Sequence, residues 1–511
     1  MKKEYILIAS VLLLVNFSFA QAPAIQWQKS FGGSQDDEAT SICQTTDGGY
    51  ITVGNTNSND GDVTMIHGAS DYWVVKTDNS GNIEWQKTYG GSDSESARTI
   101  LQTTDGGYLI NGYSFSADGD VNGNGGGNDC WILKINSTGA IQWQQRFAGA
   151  NGSNYLSSDY SYSIAVTNDN GCILTGGSDS PGNYVLLVVK LASNGTIEWQ
   201  KYIEDVLGGG GVGYSIIQTA DGNYVIAGNA NNSVSSNQYF IFKLSASGTN
   251  ILWKKTYGGF SGYFDNNTAK SIRQTTDGGF IVAGSINATD GDVTGNHGGY
   301  DYWVLRLDSD GNLMWQKTLG GSADDYANSI IQTNDGNYVV AGYSSSTDGD
   351  ITGNHGGEDY WVVKLDTTGV ILWQQSYGGS GTEDANDIKQ TADGGYIMAG
   401  YSSVLIDGDV TVNHGSLDFW VVKLSADTLG TFSFGANELK IFPNPTTSMV
   451  TLQSNSNMMF DKITVADLTG KTIIEQTQNT NQINVEKLAS GMYILQAFSG
   501  EEKWVSKFVK E

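Results

Sequence analysis

The stretch SIIQTNDGNYVVAGYSSSTDGDITGNHGGEDYWVVKLDTTGVILWQQSYGG, Ser329–Gly379, is the clearest copy of a unit that recurs along the chain. Glycine, aspartate and asparagine divide it into four short β-rich runs. The runs are Ser329–Thr333, Tyr338–Ser344, Tyr360–Asp366 and Val370–Tyr377. Short turns of hairpin type join the first run to the second and the third to the fourth. One unit therefore predicts a sheet of four antiparallel strands.

The unit returns through most of the chain, and a tryptophan in segments such as IEWQKTYGG marks each copy. The seven copies contain Trp27, Trp85, Trp143, Trp199, Trp253, Trp315 and Trp373. The first copy holds only a last strand, Ile25–Phe31, and the repeats end after a third strand at Leu424. Pairing these two strands closes a ring and protects its edges, whereas an open β-repeat leaves the first strand unpaired. The sequence predicts an all-β chain with a seven-bladed β-propeller.

One segment of the unit has a known counterpart. LDSDGNLMWQKTLGG, Leu307–Gly321, resembles the "D..TG...W" docking pattern of quinoprotein-like propellers. The resemblance covers about a quarter of each unit. It supports the propeller fold and does not imply a quinone cofactor.

The composition excludes one class of partner. The 511 residues have a formal net charge of −27, and phosphate binding needs clustered cations, so no nucleic-acid partner is expected. Cys43, Cys130 and Cys172 are odd in number and share no position in the repeat. A disulfide framework is therefore not expected, and the pairing of these three cysteines stays open.

The start of the chain has the pattern of a signal peptide. Lys2 and Lys3 precede an apolar run, Ile6–Val15, which is too short to span a bilayer, and Ser18–Ala20 resembles a cleavage site. We expect residues 1–20 to be a signal peptide and residues 21–426 to be the propeller. No later segment is apolar for long enough to form a transmembrane helix, so no transmembrane segment is expected after signal cleavage.

The repeats stop after residue 426, and residues 427–438 form a turn-rich linker in the sequence pattern. Residues 439–511 then show short alternating strands, which are typical of a small immunoglobulin-like β-sandwich. Their motifs are the turn Pro443–Pro445, the hairpin Asp467–Lys471, the strand start Gly491–Tyr493 and the basic residues Lys507 and Lys510. A generic immunoglobulin-like module at the end of the chain is the simpler alternative.

With these motifs, residues 439–511 resemble the type A C-terminal sorting domain of the Bacteroidetes type IX secretion system. The resemblance implies that the type IX machinery recognises this tail. It also implies that the protein is secreted or located at the outer cell surface. By analogy with the family, the tail is cleaved and the protein is released or anchored.

Acidic, glycine-rich loops follow the second strand of five units, and two of them are closely alike. In Asp290–Asp301 and Asp348–Asp359, oxygen ligands fall at positions one, three, five, seven and twelve, as in an EF-hand-type calcium loop. The predicted metal ligands are Asp290, Asp292, Thr294, Asn296, Asp301, Asp348, Asp350, Thr352, Asn354 and Asp359. Looser copies occur at Asp60–Asp71, Asp118–Asp129 and Asp407–Asp418.

The same loops have a second interpretation without any ion. Asp-Gly and Asn-Gly are common turn formers, and aspartate side chains accept hydrogen bonds from backbone N–H groups in turns. The loops also contain every histidine of the chain at one shared slot: His67, His297, His355 and His414. One histidine in a blade does not assemble a zinc cluster, so each is expected to form a hydrogen bond within its own loop.

The sequence predicts no catalytic residues and no enzyme activity. Carboxylate pairs such as Asp36/Asp37 and Asp324/Asp325 recur from blade to blade, as scaffold features do. A sialidase-like site needs clustered arginines, and the arginines lie on different strands or hairpin edges: Arg98, Arg146, Arg273 and Arg306. Neither a G-x-S-x-G elbow nor an H-E-x-x-H helix occurs.

Antiparallel blades place the long acidic loops and the links between blades on one face of the ring, which is the candidate working surface. The sequence thus predicts a secreted or surface-anchored, non-catalytic propeller that functions in adhesion or binds an unidentified extracellular glycan or protein. The alternative is an extracellular polysaccharide-active hydrolase that uses the acidic face.

Overall fold

The computed structural model describes residues 22–122, 127–147, 158–180, 183–204, 206, 210–232, 235–259, 267–403, 405–427, 440–453, 460–466, 472–478, 480–499 and 502–511. The predicted signal peptide and residues 428–438 of the predicted linker lie outside them. The chain divides into two compact units, the second of which contains the C-terminal strands. Within the described ranges, no helix has the length and apolar character needed to cross a membrane.

The larger unit consists of seven four-stranded antiparallel sheets, or blades. Strand β1 (Ile25–Phe31) belongs to blade seven. Blade one contains β2 (Asp37–Gln44), β3 (Tyr50–Thr56), β4 (Asp71–Thr77) and β5 (Ile83–Tyr89). Blade two contains β6 (Glu95–Gln102), β7 (Tyr108–Ser114), β8 (Asp129–Ile135) and β9 (Ile141–Phe147). Blade three contains β10 (Asp159–Val166), β11 (Cys172–Ser180), β12 (Asn183–Leu191) and β13 (Ile197–Ile203).

The remaining blades follow the same order. Blade four contains β14 (Gly211–Gln218), β15 (Tyr224–Asn232), β16 (Ser235–Leu244) and β17 (Ile251–Tyr257). Blade five contains β18 (Thr268–Gln274), β19 (Phe280–Ile286), β20 (Asp301–Leu307) and β21 (Leu313–Leu319). Blade six contains β22 (Asp325–Gln332), β23 (Tyr338–Ser344), β24 (Asp359–Leu365) and β25 (Ile371–Tyr377). Blade seven contains β26 (Glu383–Gln390), β27 (Tyr396–Ser402), β28 (Asp418–Leu424) and β1.

Strand β1 closes the ring, which confirms the predicted seven-bladed propeller. It pairs antiparallel with β28, and Gln28 lies opposite Val422. Trp420 Nε1 donates a hydrogen bond to Gln28 Oε1 at 2.7 Å, and Trp361 makes the same contact with Gln374 inside blade six. The closing strand thus makes the same contact that the fourth strand makes in blade six.

The repeated tryptophan packs between neighbouring blades. Trp253 of β17 lies against Gly311, in the turn between β20 and β21 of the next blade. Gly311 has a φ of +77°, and a Cβ added to it would lie 2.8 Å from the Trp253 ring. Glycine is required there because the turn needs a left-handed residue and the indole leaves no space for a side chain.

Glutamine side chains join neighbouring blades by hydrogen bonds at the face of the ring that carries the tight turns. The Oε1 atom of Gln390 accepts a hydrogen bond from the backbone N–H of Asn334 in the preceding blade, at 2.8 Å. Gln44 accepts the equivalent bond from Ala392 at 2.8 Å, across the junction where the chain closes on itself. The junction between blades seven and one is therefore built like the others.

The first strand of the unit is longer than its sequence pattern predicts. The pattern predicts Ser329–Thr333, whereas β22 spans Asp325–Gln332. A β-bulge interrupts the pairing of β22 with β23 between Ala327 and Ser329. The extra residue breaks the alternation of inward and outward side chains, which conceals the first half of the strand in the sequence.

The C-terminal unit contains seven strands in two sheets. They are β29 (Lys440–Phe442), β30 (Met449–Gln453), β31 (Lys462–Ala466), β32 (Thr472–Gln476), β33 (Gln482–Asn484), β34 (Gly491–Ser499) and β35 (Glu502–Lys510). One sheet has the order β29-β30-β33 and the other β32-β31-β34-β35. Val450, Ile463, Leu495 and Phe508 are fully buried in a core of their own, as the predicted small sandwich requires.

Candidate ligand-binding site in the central channel

The first strands of all seven blades line one cavity of about 770 Å³, the central channel. Each of these strands carries a β-bulge at the same place, for example between Ala97 and Thr99 in β6. A bulge re-aims one side chain, and the bulge residue of every blade lines the channel. These residues are Thr40, Arg98, Tyr162, Tyr214, Lys270, Asn328 and Asn386. The unit repeats around the ring, but its channel-facing residue does not.

Cations and tyrosines alternate along one side of the channel, in what we call the cation–tyrosine wall. Its members are Arg98, Tyr162, Tyr214 and Lys270, and Tyr113 lies against Arg98. The Arg98 guanidinium lies 5.3 Å from the centre of the Tyr113 ring and 5.7 Å from that of Tyr162. The Tyr162 and Tyr214 rings are 4.8 Å apart, and Lys270 Nζ lies 4.6 Å from the Tyr214 centroid. Such contacts stabilise a cation on an aromatic face.

The surroundings of Lys270 change its proton affinity. Its side chain stays accessible from the channel lumen, but the channel walls remove much of its hydration. This desolvation, together with repulsion from Arg98, lowers the pKa of Lys270 to about 8. Burial disfavours the charged form of a lysine, so an anion placed beside it would stabilise that form.

Carboxyl groups lie on another part of the channel lining. Burial, with the repulsion of the neighbouring Glu358 and Glu38, raises the pKa of Asp384 to about 7 against the lowering effect of the hydrogen bond from Tyr401. Tyr401 donates that bond to Asp384 Oδ2 at 2.5 Å. The pKa of Glu38 is also raised, by burial and by Asp36, against the attraction of Arg98. The channel lining therefore carries both charges: Arg98 and Lys270 belong to the cation–tyrosine wall, and Asp384 and Glu38 lie elsewhere on the lining.

Deeper in the channel, Asp387 ties three blades together. Its Oδ1 atom accepts a hydrogen bond from Ser329 Oγ at 3.0 Å, and its Oδ2 atom accepts one from Ser41 Oγ at 3.0 Å. Lys389 donates to the same carboxylate. Other blades carry serine or threonine at this position. Both oxygens of the Asp387 carboxylate are therefore used in hydrogen bonds within the fold.

In the structure, the predicted metal ligands form hydrogen bonds with different groups of the protein. Asp348 Oδ1, at loop position one, accepts from the backbone N–H of Ser322 at 2.7 Å. Asp350, at position three, accepts from Gly320 N–H at 3.4 Å, and Asp292 accepts from its counterpart Gly258 at 3.2 Å. These aspartates anchor the loop to the link that precedes the blade.

The side chains at positions five and seven are also used within the fold. Thr352 Oγ1 accepts a hydrogen bond from the Gln374 amide, and Thr294 is used in the same way. Asn354 Nδ2 donates to the Ser344 carbonyl at 2.9 Å, while its Oδ1 atom accepts from Gly356 N–H at 2.9 Å. Asn296 makes the equivalent bonds.

Each histidine binds the aspartate at position twelve of its own loop. Asp301 Oδ2 accepts from the His297 backbone N–H at 2.8 Å and lies 2.8 Å from its Nδ1. His355 and Asp359 repeat this pair at 2.7 Å and 2.8 Å. In the described part of the chain, no three His, Cys, Asp or Glu side chains are placed to hold a metal ion. Calcium binding by these loops stays a prediction.

The arginines divide into two pairs. Arg146 and Arg306 form ion pairs with Asp129 and Asp277, whereas Arg98 and Arg273 both line the channel. The three cysteines are free thiols, and burial raises the pKa of Cys43 to about 11 and that of Cys172 to about 12.

The channel residues were not predicted from the sequence, because no particular type of amino acid marks a β-bulge. A signal was nevertheless present in the repeats. The first strand reads A-x-S-I in several units, for example Ala269–Ile272 and Ala327–Ile330, and the residue marked x is the one that enters the channel.

Comparison with known proteins identifies one part of the chain. Residues 440–511 match the family described as the secretion system C-terminal sorting domain. No curated protein sequence matches the chain.

Several solved structures resemble it at low identity. PorZ of Porphyromonas gingivalis, described as an essential bacterial surface component of the type IX secretion system, is 11% identical with a TM-score of 0.42. The match covers 94% of this chain and 60% of PorZ, so the chain spans less than two thirds of that protein. A protein of unknown function from Dyadobacter fermentans is 12% identical, with a TM-score of 0.39 and coverage of 79% and 99%.

Quinohemoprotein alcohol dehydrogenase from Comamonas testosteroni is 9% identical, with a TM-score of 0.43 and coverage of 85% and 80%. None of these likenesses assigns an activity to this chain. The match at its C-terminal end does assign a route of export. Residues 440–511 belong to the C-terminal sorting domains of the type IX secretion system, and the protein is secreted or located at the cell surface.

Proposed function

We propose that this protein is a non-catalytic binding protein whose extracellular glycan or protein ligand enters the central channel, as an adhesin would bind its target. The cation–tyrosine wall is the observation that carries this proposal. Tyr162 and Tyr214 offer two adjoining ring faces, and Arg98 and Lys270 lie beside them. Ligand pockets combine apolar ring faces with a few oriented polar groups in this way, and they typically enclose about 300–1,000 Å³.

The seven bulge residues support binding in the channel rather than on the outer surface. Closure of the ring does not require a different residue in each blade, since one repeated side chain could occupy this position in all seven. The ring nevertheless presents threonine, arginine, tyrosine, lysine and asparagine to one lumen. Such convergence of different polar groups suits recognition of one irregular ligand.

A second candidate function is hydrolysis of a polysaccharide, and Asp384 favours it. A carboxyl group with a pKa of about 7 is protonated in part of the protein at neutral pH and serves as a general acid there. Glu38 is the second carboxyl group that such a reaction requires. If the protein is a hydrolase, its activity should fall as the pH rises through 7, because Asp384 then loses its proton.

Binding and turnover measured on the same exported protein test the proposal. We expect binding to members of a glycan or surface-protein panel, no turnover of polymeric glycans, and at least about tenfold weaker binding by Tyr214→Ala, since stacked aromatic contacts contribute about 1–3 kcal/mol. Tyr202→Ala is the matched control, because Tyr202 is equally half-buried but lies on an outer strand. Turnover that Asp384→Asn abolishes would contradict the non-catalytic function.

A further inference from the structure

We propose that the channel ligand is an acidic saccharide, whose carboxylates pair with Arg98 and Lys270 while a sugar ring lies against Tyr162 and Tyr214. This inference rests on the proposed binding function and names the chemical class of its ligand.

The charge of the channel wall is the first argument, because it opposes that of the whole protein. The chain has a net charge of −27, yet two cations stand in one wall of its channel. Such a site attracts an anion locally, while the acidic surface repels anions elsewhere.

The ion pairs of the lysines on the third strands give the second argument. Lys76 and Lys364 belong to a set of lysines on the third strands that form ion pairs with aspartates, at 3.1 Å to Asp47 and 2.7 Å to Asp335. Among the residues that the structure describes, no carboxylate forms an ion pair with Arg98 or Lys270. Arg98 is only half-buried and Lys270 is exposed to the lumen, so both cations are open to an anionic ligand that enters the channel.

The hydrogen bonds of Arg98 support the same conclusion. Its Nη2 atom donates to the Tyr113 hydroxyl at 2.9 Å, whereas its buried Nε atom has no partner among the described residues. The bond to Tyr113 fixes the guanidinium, so binding of a carboxylate through its other N–H groups would cost little conformational entropy.

The opposite side of the channel favours a saccharide over an acidic peptide. Asn328 Nδ2 donates to the Ala385 carbonyl at 3.0 Å, and Asn386 Nδ2 donates to the Ala39 carbonyl at 2.9 Å. Both amides are thereby fixed, and both residues line the channel with Thr40. Fixed amide oxygens and a hydroxyl suit the many hydroxyl groups of a sugar, while ring faces suit its C–H groups.

Binding of two matched saccharides to the full exported chain tests this inference. An oligogalacturonate carries a carboxylate on each ring, and a neutral galacto-oligosaccharide of equal length does not. We expect the acidic saccharide to bind at least about tenfold more tightly at low salt. Arg98→Gln and Lys270→Gln should each remove most of that preference, while Lys317→Gln, on an outer strand, should not change it.

The possible failures are distinguishable. Equal affinity for the two saccharides, with binding still lost in Tyr214→Ala, would overturn the acidic ligand and retain the binding function. A preference for poly-aspartate that depends on Lys270, without binding of either saccharide, would replace the saccharide by a peptide. No binding of any of these probes to a folded chain would count against both proposals. Circular dichroism and thermal melting establish that each variant is folded.

Discussion

Gly311 and Gly336 have nearly the same backbone conformation but different neighbours. Their φ angles are +77° and +85°, and both occupy hairpin turns. A Cβ at Gly311 would lie 2.8 Å from Trp253, whereas a Cβ at Gly336 would meet nothing within 4 Å. The two positions therefore separate the cost of a left-handed residue from the cost of disturbing the contact between blades.

We expect Gly311→Ala to destabilise the propeller more than Gly336→Ala. The left-handed conformation alone costs a side chain about 1–2 kcal/mol, and Gly336→Ala should show only this loss. Gly311→Ala must also displace the Trp253 indole, which adds about 1–3 kcal/mol. Urea unfolding of both variants measures the difference, and equal midpoints would mean that the indole moves aside freely.

The histidines show how far reasoning from single residues extends. Because the histidines recur at one position of the loop, each was predicted to form a hydrogen bond within its own loop. The structure has such a bond between His297 and Asp301. The channel position of Lys270 did not follow from the sequence. Its exposure depends on a bulge, which is set by the pairing of two strands and not by the residue itself.

Among the elements, the acidic loops differ most from blade to blade. The loops of blades five and six reach across to the links before their blades. In blade three, β11 and β12 instead have nine residues each and pair with one another as far as Ser180 and Asn183. The acidic loops thus belong to blades five, six, seven, one and two, which follow one another around the ring.

A calcium titration tests the predicted ligands at Asp290–Asp301 and Asp348–Asp359. If these loops bind calcium, millimolar calcium should raise the melting temperature, because an ion that binds only the folded state adds about 2.7 kcal/mol at a hundred times its Kd. Asp348→Asn combined with Asp290→Asn should then abolish the increase. Identical melting curves with calcium and with a chelator, at equal ionic strength, would leave the loops as hydrogen-bonded turns.

The blades were predictable from the sequence because the repeat supplies the same observation seven times. The third strand reads as buried on both faces in every copy, and β24 is buried along its whole length. The start of the first strand was not predictable. Asp325 is fully buried there and accepts hydrogen bonds from Gly321 N–H and Ser346 Oγ, so a polar residue that suggests a loop is in fact part of the core.

At the scale of the whole molecule, the propeller and the C-terminal unit have separate cores. Phe508 and Ile463 are buried among residues of the C-terminal strands, while Trp420 is buried within blade seven. Each unit therefore has the apolar core that independent folding requires. This separation suits a tail whose task is sorting and not the stability of the ring.

Removal of Leu439–Glu511 should leave a folded propeller that no longer crosses the outer membrane. We expect the truncated chain to melt cooperatively near the temperature of the complete propeller and to accumulate in the periplasm. Cell fractionation locates the protein, and the full chain is the control. Arrival of the truncated protein in the medium or at the cell surface would contradict the role of the tail.

The closing strand also determines when folding ends. Gln28 and Trp420 form a hydrogen bond although 392 positions separate them in the chain, so closure of the ring depends on a contact of very long range in sequence. Strand β1 is synthesised first, but it cannot pair with β28 until the rest of the propeller has been synthesised. Such a pairing slows folding because a long loop is closed in its last step. If the predicted signal peptide directs export, this delay is useful, since a chain that folds late stays unfolded while it crosses the inner membrane.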